Sequence, residues 1–548
     1  MNRKDSISSS RRFHKRSIRF TACVCLAIAA LPGIGAPINR EPIRPIRDYF
    51  PNGNDMCKSA VASSAAYNFN AYARLVNGPA KNRVNIGITC DGYAVGDTAK
   101  FPAQADSNIA YRRGLSSIKN NKMAMRPYPR YDKFFNWYLI NLVSPQSGIS
   151  VSPGQGQPNT TTINNALGGT HDNDRLGWVD DAKASSLFSQ AEKKLGIKIH
   201  WHQVILNING YYNSGGPMVV FAYPNWGDIA CHEAGHGFHG FADEYFSCDN
   251  SSDTKEYDEI DATAAVGSPK WSHWVGYKDI DPRVGANPGI GCDNGADTIG
   301  YYPGARYVQT NQFRPSNNSK MNMTGQTDPT SFNAICREKI IHDIYAIVKP
   351  IDTLMDTAGQ AIDPDSVWVK VIDPNVLKVD WYVDGMLKKA NGGTALKKSE
   401  IASAPGAYTV KAHVYDEAIR HANSPNKTPD TLDLVRKDTT KMFIDVQWKV
   451  KLNSVTLVQS ILSRPAFSAT IHNNTLIYSL GHPAMVSIGL LRIDGSTIRR
   501  SSAHGVSGEN TLLLTAAQSG KPSISAGFYL VTLATGAQRV ALPALLNP

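Results

Sequence analysis

The chain has 548 residues, a formal net charge of +11, 42% hydrophobic residues and 19% charged residues. That length exceeds one hydrophobic core, so about two to four domains are expected. The composition is that of a folded protein. The positive charge does not point to nucleic acid, because many basic residues crowd the first twenty positions and no basic stripe interleaved with aromatics follows.

The N-terminus "MNRKDSISSSRRFHKRSIRF" is basic, and "TACVCLAIAALPGIG" is a short apolar run with the small residues Gly33, Gly35 and Ala36 at its end. This is the order of a secretory signal peptide, placed at residues 1–35. The run is too short to span a bilayer comfortably. No later stretch is apolar enough to do so, and no stable membrane insertion is expected after cleavage. An N-terminal segment follows at 36–81. Past the signal, six cysteines remain: Cys57, Cys90, Cys231, Cys248, Cys292 and Cys336. An even number in an exported chain predicts disulfides and no free thiol. Proximity suggests Cys57–Cys90, with the other four pairing around the central motif.

Between 82 and 350 strand and helix patterns mix. "RVNIGIT" (83–89), "FNWYLINLV" (135–143) and "WHQVILNI" (201–208) read as strands, and 180–197 has helical spacing that stops at Gly196. "GGPMVVFAYP" (215–224) reads as a short edge strand suited to binding an extended substrate. A helix then follows through "WGDIACHEAGHGFHG", with Asp228 placed to cap it.

Residues four apart on a helix share a face. His232 and His236 can therefore put two imidazoles on one metal ion, and Glu233 beside them can reach a water there. This is the zincin pattern of two histidine ligands and a glutamate base. For the third ligand, His239 lies on the same face but roughly 7 Å further along a straight helix, and Asp243 roughly 13 Å along. Asp243 can bind only if the helix ends and the chain turns back, which Gly240 permits. Asp243 is favoured over His239, with Glu244 a weaker alternative. The acidic loop "DNSSDTKEYDEID" (249–261) has oxygen ligands suited to Ca²⁺, but it lacks EF-hand spacing, and a solvated loop is the simpler reading.

"HEAGHGFHGFADEY" resembles the HExGH…ADEY signature of the IgA-specific metallopeptidase family, a group of secreted zinc peptidases. "NRVNIGITCDGYA", "FFNWYLINLVSPQSGIS", "SPKWSHWVG" and "ARYVQTNQFRPSNNSKMNMT" resemble further blocks of that family, in order, over about 82 to 345. One position departs: the family often has glycine where this chain has His239. The resemblance implies an α+β zincin-like catalytic domain of metzincin type at 82–350, with a Zn²⁺ cofactor and protein or glycoprotein substrates. It also implies a Met-turn at Met321, or less well Met323, as a packed floor beneath the ligands. Tyr245 would brace the turn that delivers Asp243. Tyr307 or Arg314 could polarise a substrate carbonyl, but the sequence does not choose between them, and packing or local hydrogen bonding is the simpler role for both.

After Pro350 the pattern alternates strictly, as in "LKVDWYVDG" and "GAYTVKAHVYDE". This predicts an immunoglobulin-like β-sandwich at 351–450, with Trp381 and Tyr408 facing inward. Residues 451–548 predict a second small all-β sandwich domain. It resembles the C-terminal sorting domains of type IX cargo, which would make the secretion machinery a partner and the protein secreted or cell-surface attached in a Gram-negative bacterium. A plain accessory sandwich fits as well. The functional expectation is a secreted zinc metalloendopeptidase. Its rival is a non-catalytic surface-binding protein with a structural metal site.

Overall fold

The computed structural model describes residues 66–547, except 223–226, 266–269, 287–297, 323–328, 420–432, 454–466, 493, 517–523 and 537. The expected signal peptide, Cys57, Cys292 and Met323 lie outside the described residues. The chain forms two compact units, Met1–Leu452 and Asn453–Pro548. Among the described residues no helix is long and apolar enough to cross a membrane.

The first unit is built on a six-stranded sheet. Its strands are β1 (Phe69–Leu75), β2 (Val84–Asp91), β3 (Phe135–Leu142), β4 (Trp201–Leu206), β5 (Asn213–Gly215) and β6 (Val219–Ala222), in the spatial order β1-β3-β2-β4-β6-β5. The middle pairs β3/β2, β2/β4 and β4/β6 are parallel, and the two outer pairs antiparallel. Every residue of β2 is buried, as a parallel strand covered on both faces requires.

Helices cover the sheet. They are α1 (Phe101–Arg112), α2 (Asp181–Leu195) and α3 (Gly227–His239), with α4 (Ala334–Ile347) packing against α3. In α2 the ends are those read from sequence. Asp180 accepts from the Ala182 and Lys183 amides, and Gly196 closes the helix at φ +67°.

Two local expectations change. The edge strand is β5, at 213–215, while Val219–Ala222 lies one strand inward. The chain reverses at Gly216–Met218, so the "GGPMVVF" stretch spans a hairpin rather than one strand. Asp228 sits within the first turn of α3 instead of preceding it. Its carboxylate bonds the Lys320 ammonium, which is fully buried, and accepts from the Tyr111 hydroxyl at 3.2 Å. A buried ammonium must be paired, and that demand outweighs helix capping.

Residues 351–452 complete the first unit. A three-stranded sheet (Ile351–Leu354, Ser366–Val371, Ala395–Lys397) accompanies a five-stranded one. In the latter, Leu377–Val383 alternates buried and half-buried positions without a break. Trp381 is fully buried, 6.0 Å from the Trp448 ring, and Tyr408 packs against the same core while half-buried. The second unit holds a three-stranded and a four-stranded antiparallel sheet over Val486, Ile488, Val531 and Leu533.

Disulfide expectations need correction. Cys90, Cys231 and Cys336 are free and buried, so the Cys57–Cys90 pair does not form. Cys248 alone among the described cysteines is disulfide-bonded. Cys90 points into the sheet core and Cys231 into the α1–α3 contact, where each behaves as a small apolar side chain.

Candidate metal centre

Helix α3 lies against the edge of the sheet because its glycines allow it. A Cβ at Gly237 would stand 2.6 Å from the Gly216 carbonyl oxygen. One at Gly235 would stand 2.6 Å from the sulfur of Met321, which is fully buried beneath the helix. From the strand side, a Cβ at Gly215 would meet the Glu233 carbonyl at 2.6 Å.

The helix ends at His239, and Gly240 is left-handed, at φ +67°. Its amide bonds the His236 carbonyl at 3.0 Å, and the Phe241 amide reaches back to Gly235 at 3.0 Å. The chain then returns beside the helix. Asp243 Oδ1 comes 3.1 Å from His232 Nε2 and 3.3 Å from His236 Nε2, and the two Nε2 atoms are 3.1 Å apart.

Each imidazole has its other nitrogen on a backbone carbonyl: His232 Nδ1 on Lys320 at 2.8 Å, His236 Nδ1 on Phe241 at 2.7 Å. A carbonyl only accepts, so each Nδ1 carries the hydrogen and each neutral ring turns a bare Nε2 lone pair inward. Burial alone would raise the Asp243 carboxyl, but the His236 and His232 imidazoles hold it well below the usual carboxylate range. Two lone pairs and a carboxylate oxygen thus face one another, with Oδ1 otherwise unpartnered. A bound cation, or a proton on one imidazole, satisfies such a set. The donor set fits a metal ion, and the three residues form a group able to hold one.

Glu233 is buried, and burial pushes its carboxyl above the usual range. Its Oε2 has no hydrogen-bond partner and lies beside Gly215. His236 keeps 8% of its side chain exposed, against 1% for His232 and Asp243, so the centre opens on the His236 side.

The alternatives for third ligand are placed elsewhere. His239 bonds Asp343 through Nδ1 at 2.8 Å and the Tyr128 hydroxyl through Nε2 at 2.7 Å, so neither nitrogen is free. Glu244 accepts from Ser319 and Asn333, both at 2.8 Å. With Asp261 and Cys336 it forms a second group of three donor atoms. There the Ala242 amide also binds Asp261, and the Cys336 sulfur lies 3.9 Å from Glu244 Oε1 and 3.8 Å from Asp261 Oδ2, within reach of its single hydrogen to either. Burial and the neighbouring Asp261 push the Glu244 carboxyl up.

Of the two candidates left open by sequence, Tyr307 reaches the centre: its hydroxyl donates to Asp243 Oδ2. Arg314 instead bonds the Pro303 and Gly304 carbonyls and lies 5.0 Å over the Phe246 ring. Tyr245 meets the Tyr307 ring edge-on at 5.2 Å. Lys320, whose carbonyl sets His232 and whose ammonium holds Asp228, was not legible from sequence.

Among the described residues the acidic loop contributes to a metal-ligand group only through its last residue, Asp261, in the group with Glu244 and Cys336. The loop's cation is internal. The Lys270 ammonium bonds the Glu259 and Ala262 carbonyls at 2.5 and 2.9 Å and Glu256 at 2.8 Å.

The fold and this centre define a helix-borne group able to hold a metal ion, with the buried Glu233 carboxylate beside it. Residues 74–283 match the model of the IgA peptidase M64 family. Over that segment, about two fifths of the chain, the protein is similar to this peptidase family. The match ends before Tyr307 and Met321. No curated protein matches the chain. Among solved structures it is similar to dimeric latent PorU from Porphyromonas gingivalis (12% identity, 36% of this chain and 20% of that chain, TM-score 0.13). It is also similar to fibronectin(III)-like modules of Clostridium thermocellum CbhA (12%, 36% and 93%, TM-score 0.11) and to a Parabacteroides merdae β-glucuronidase (8%, 42% and 29%, TM-score 0.13). Likenesses this slight bear on neither fold nor function.

Proposed function

We propose that this chain is a secreted zinc-dependent endopeptidase of zincin-like build, acting on proteins or glycoproteins. The observation that carries the reading is the convergence of His232 Nε2, His236 Nε2 and Asp243 Oδ1, with Glu233 adjacent on the helix. Two imidazoles and one carboxylate suit zinc in a catalytic site, where three protein ligands leave a position open. When bound, the ion would supply a Lewis acid that polarises the scissile carbonyl and acidifies a water. Glu233 takes a proton from the attacking water and returns it to the leaving amine. Its burial beside Gly215 excludes competing hydrogen bonds and raises its basicity. Edge strand β5 would receive the substrate as an added strand at Ser214–Gly215, since the Asn213 amide already bonds the Arg175 carbonyl at 3.0 Å.

The rival reading, a surface-binding protein with a structural metal, leaves Glu233 without a task. Secretion rests on residues 1–35 as an export signal. The test is metal analysis of the purified protein together with a casein digest, before and after chelation. One zinc per chain and activity lost on chelation are expected. Full activity in metal-free protein would overturn the reading.

A further inference from the structure

Strands β7 (Tyr302–Ala305) and β8 (Val308–Arg314) form a hairpin. Ala305 pairs with Val308, so its loop is two residues, Arg306 and Tyr307. Both are left-handed, at φ +53° and +71°. That is the type I′ turn, which ordinarily takes Asn and Gly because a Cβ crowds the backbone there. Two bulky residues at these positions are strained, and strain of this kind persists where the surroundings over-determine it.

The surroundings do so here. The Arg306 amide bonds the Asp243 carbonyl at 2.8 Å, and the Tyr307 amide bonds Tyr245 at 3.0 Å. The Ser247 amide returns to the Tyr307 carbonyl at 3.2 Å. The Arg306 guanidinium bonds Glu259 and lies 3.6 Å from the Tyr257 ring centre. The hairpin tip is thereby fastened along the same segment that carries Asp243. Half-buried Tyr307 extends its hydroxyl to Asp243 Oδ2.

The two oxygens of Asp243 are thus divided. Oδ1 faces both imidazole nitrogens, and Oδ2 is held by the phenol. A phenol against a carboxylate is the donor, so it occupies a lone pair of Oδ2. We infer that Tyr307 is a positioning residue that makes Asp243 a one-oxygen ligand and so keeps a coordination position free for water and substrate. The inference rests on the metal-centre reading above. The hydroxyl is the part that matters, because the ring's packing against Tyr245 needs none.

Tyr307→Phe keeps the ring and removes the hydroxyl. Full-length wild type and variant are compared in three measurements: metal affinity by chelator competition, the visible spectrum of the cobalt-loaded protein, and melting of the metal-free protein. Loss of a partner behind a ligand weakens binding about 10–100-fold, and that loss is expected. The cobalt bands should weaken as Oδ2 joins the ion and coordination number rises, while the metal-free melting temperature stays near wild type. A purely structural tyrosine would lower the melting temperature without changing the cobalt spectrum, and that result would overturn the inference. So would equal affinity and equal spectra in two chains that both bind metal. A wild type that takes up neither zinc nor cobalt would instead overturn the metal reading itself.

Discussion

His236 donates through Nδ1 to the carbonyl of Phe241, five residues ahead and across the turn at Gly240, at 2.7 Å. The turn therefore does two things. It carries Asp243 back to the helix, and it supplies the carbonyl that fixes the His236 tautomer with Nε2 bare. Ligand placement and ligand protonation depend on one left-handed glycine.

Gly240→Val should accordingly weaken zinc binding in part, because a β-branched residue resists φ near +67°. Asp243→Ala should weaken it strongly, by removing the one anionic donor. His239→Ala should leave affinity near wild type yet lower stability by about 1–3 kcal/mol, since Asp343 and Tyr128 lose their shared partner. Zinc competition and urea unfolding on the three variants decide this. A His239→Ala chain without metal, beside an Asp243→Ala chain that keeps it, would reverse the assignment.

Glu233→Gln should retain one zinc per chain, because no donor atom of the centre is removed. Turnover should fall by about 10²–10⁴-fold, the usual worth of general acid–base catalysis. Peptidase rate and metal content measured on the same preparation separate a lost base from a lost metal. A rate within a few-fold of wild type would remove Glu233 from the chemistry.

Gly215→Ala tests the approach of the edge strand to the helix. The new methyl would stand 2.6 Å from the Glu233 carbonyl and 2.7 Å from His236 Cβ, and neither can swing away as a side-chain tip would. Overpacking of this sort costs about 1–3 kcal/mol. Both the urea midpoint and activity should fall. An unchanged midpoint would show that β5 does not pack against α3 as described.

Thiol titration should find at least three reactive groups once the protein is denatured without reductant, from Cys90, Cys231 and Cys336. The native protein should hide them, because burial both blocks access and pushes all three thiols up. Fewer than three after denaturation would mean that some of them pair.

The sequence by itself determined what is local. The four-residue spacing of His232 and His236, with Glu233 between them, puts three functional groups on one helix. Gly240 marks where the helix must stop if Asp243 is to return. The alternation of Leu377–Val383 announces a sandwich strand. The ordered blocks around the motif resemble those of the peptidase family whose model matches residues 74–283. Each depends on a helical period, a strand period or a single turn, which neighbouring residues are enough to specify.

What only the tertiary structure decided joins residues far apart in the chain. His239 is drawn away from the centre by Tyr128 and Asp343, 111 and 104 positions distant. Tyr307 rather than Arg314 reaches Asp243, across 64 positions, because a strained hairpin is fastened beside it. Cysteine parity suggested bridges, yet three thiols are packed singly in core positions without a partner within bonding reach. Asp228 serves Lys320, 92 residues later, instead of capping its own helix. In every case a buried polar or apolar group took the partner that the packed chain brought to it. Spacing along the sequence does not contain that information, because it arises only when separate elements close on one another and exclude water.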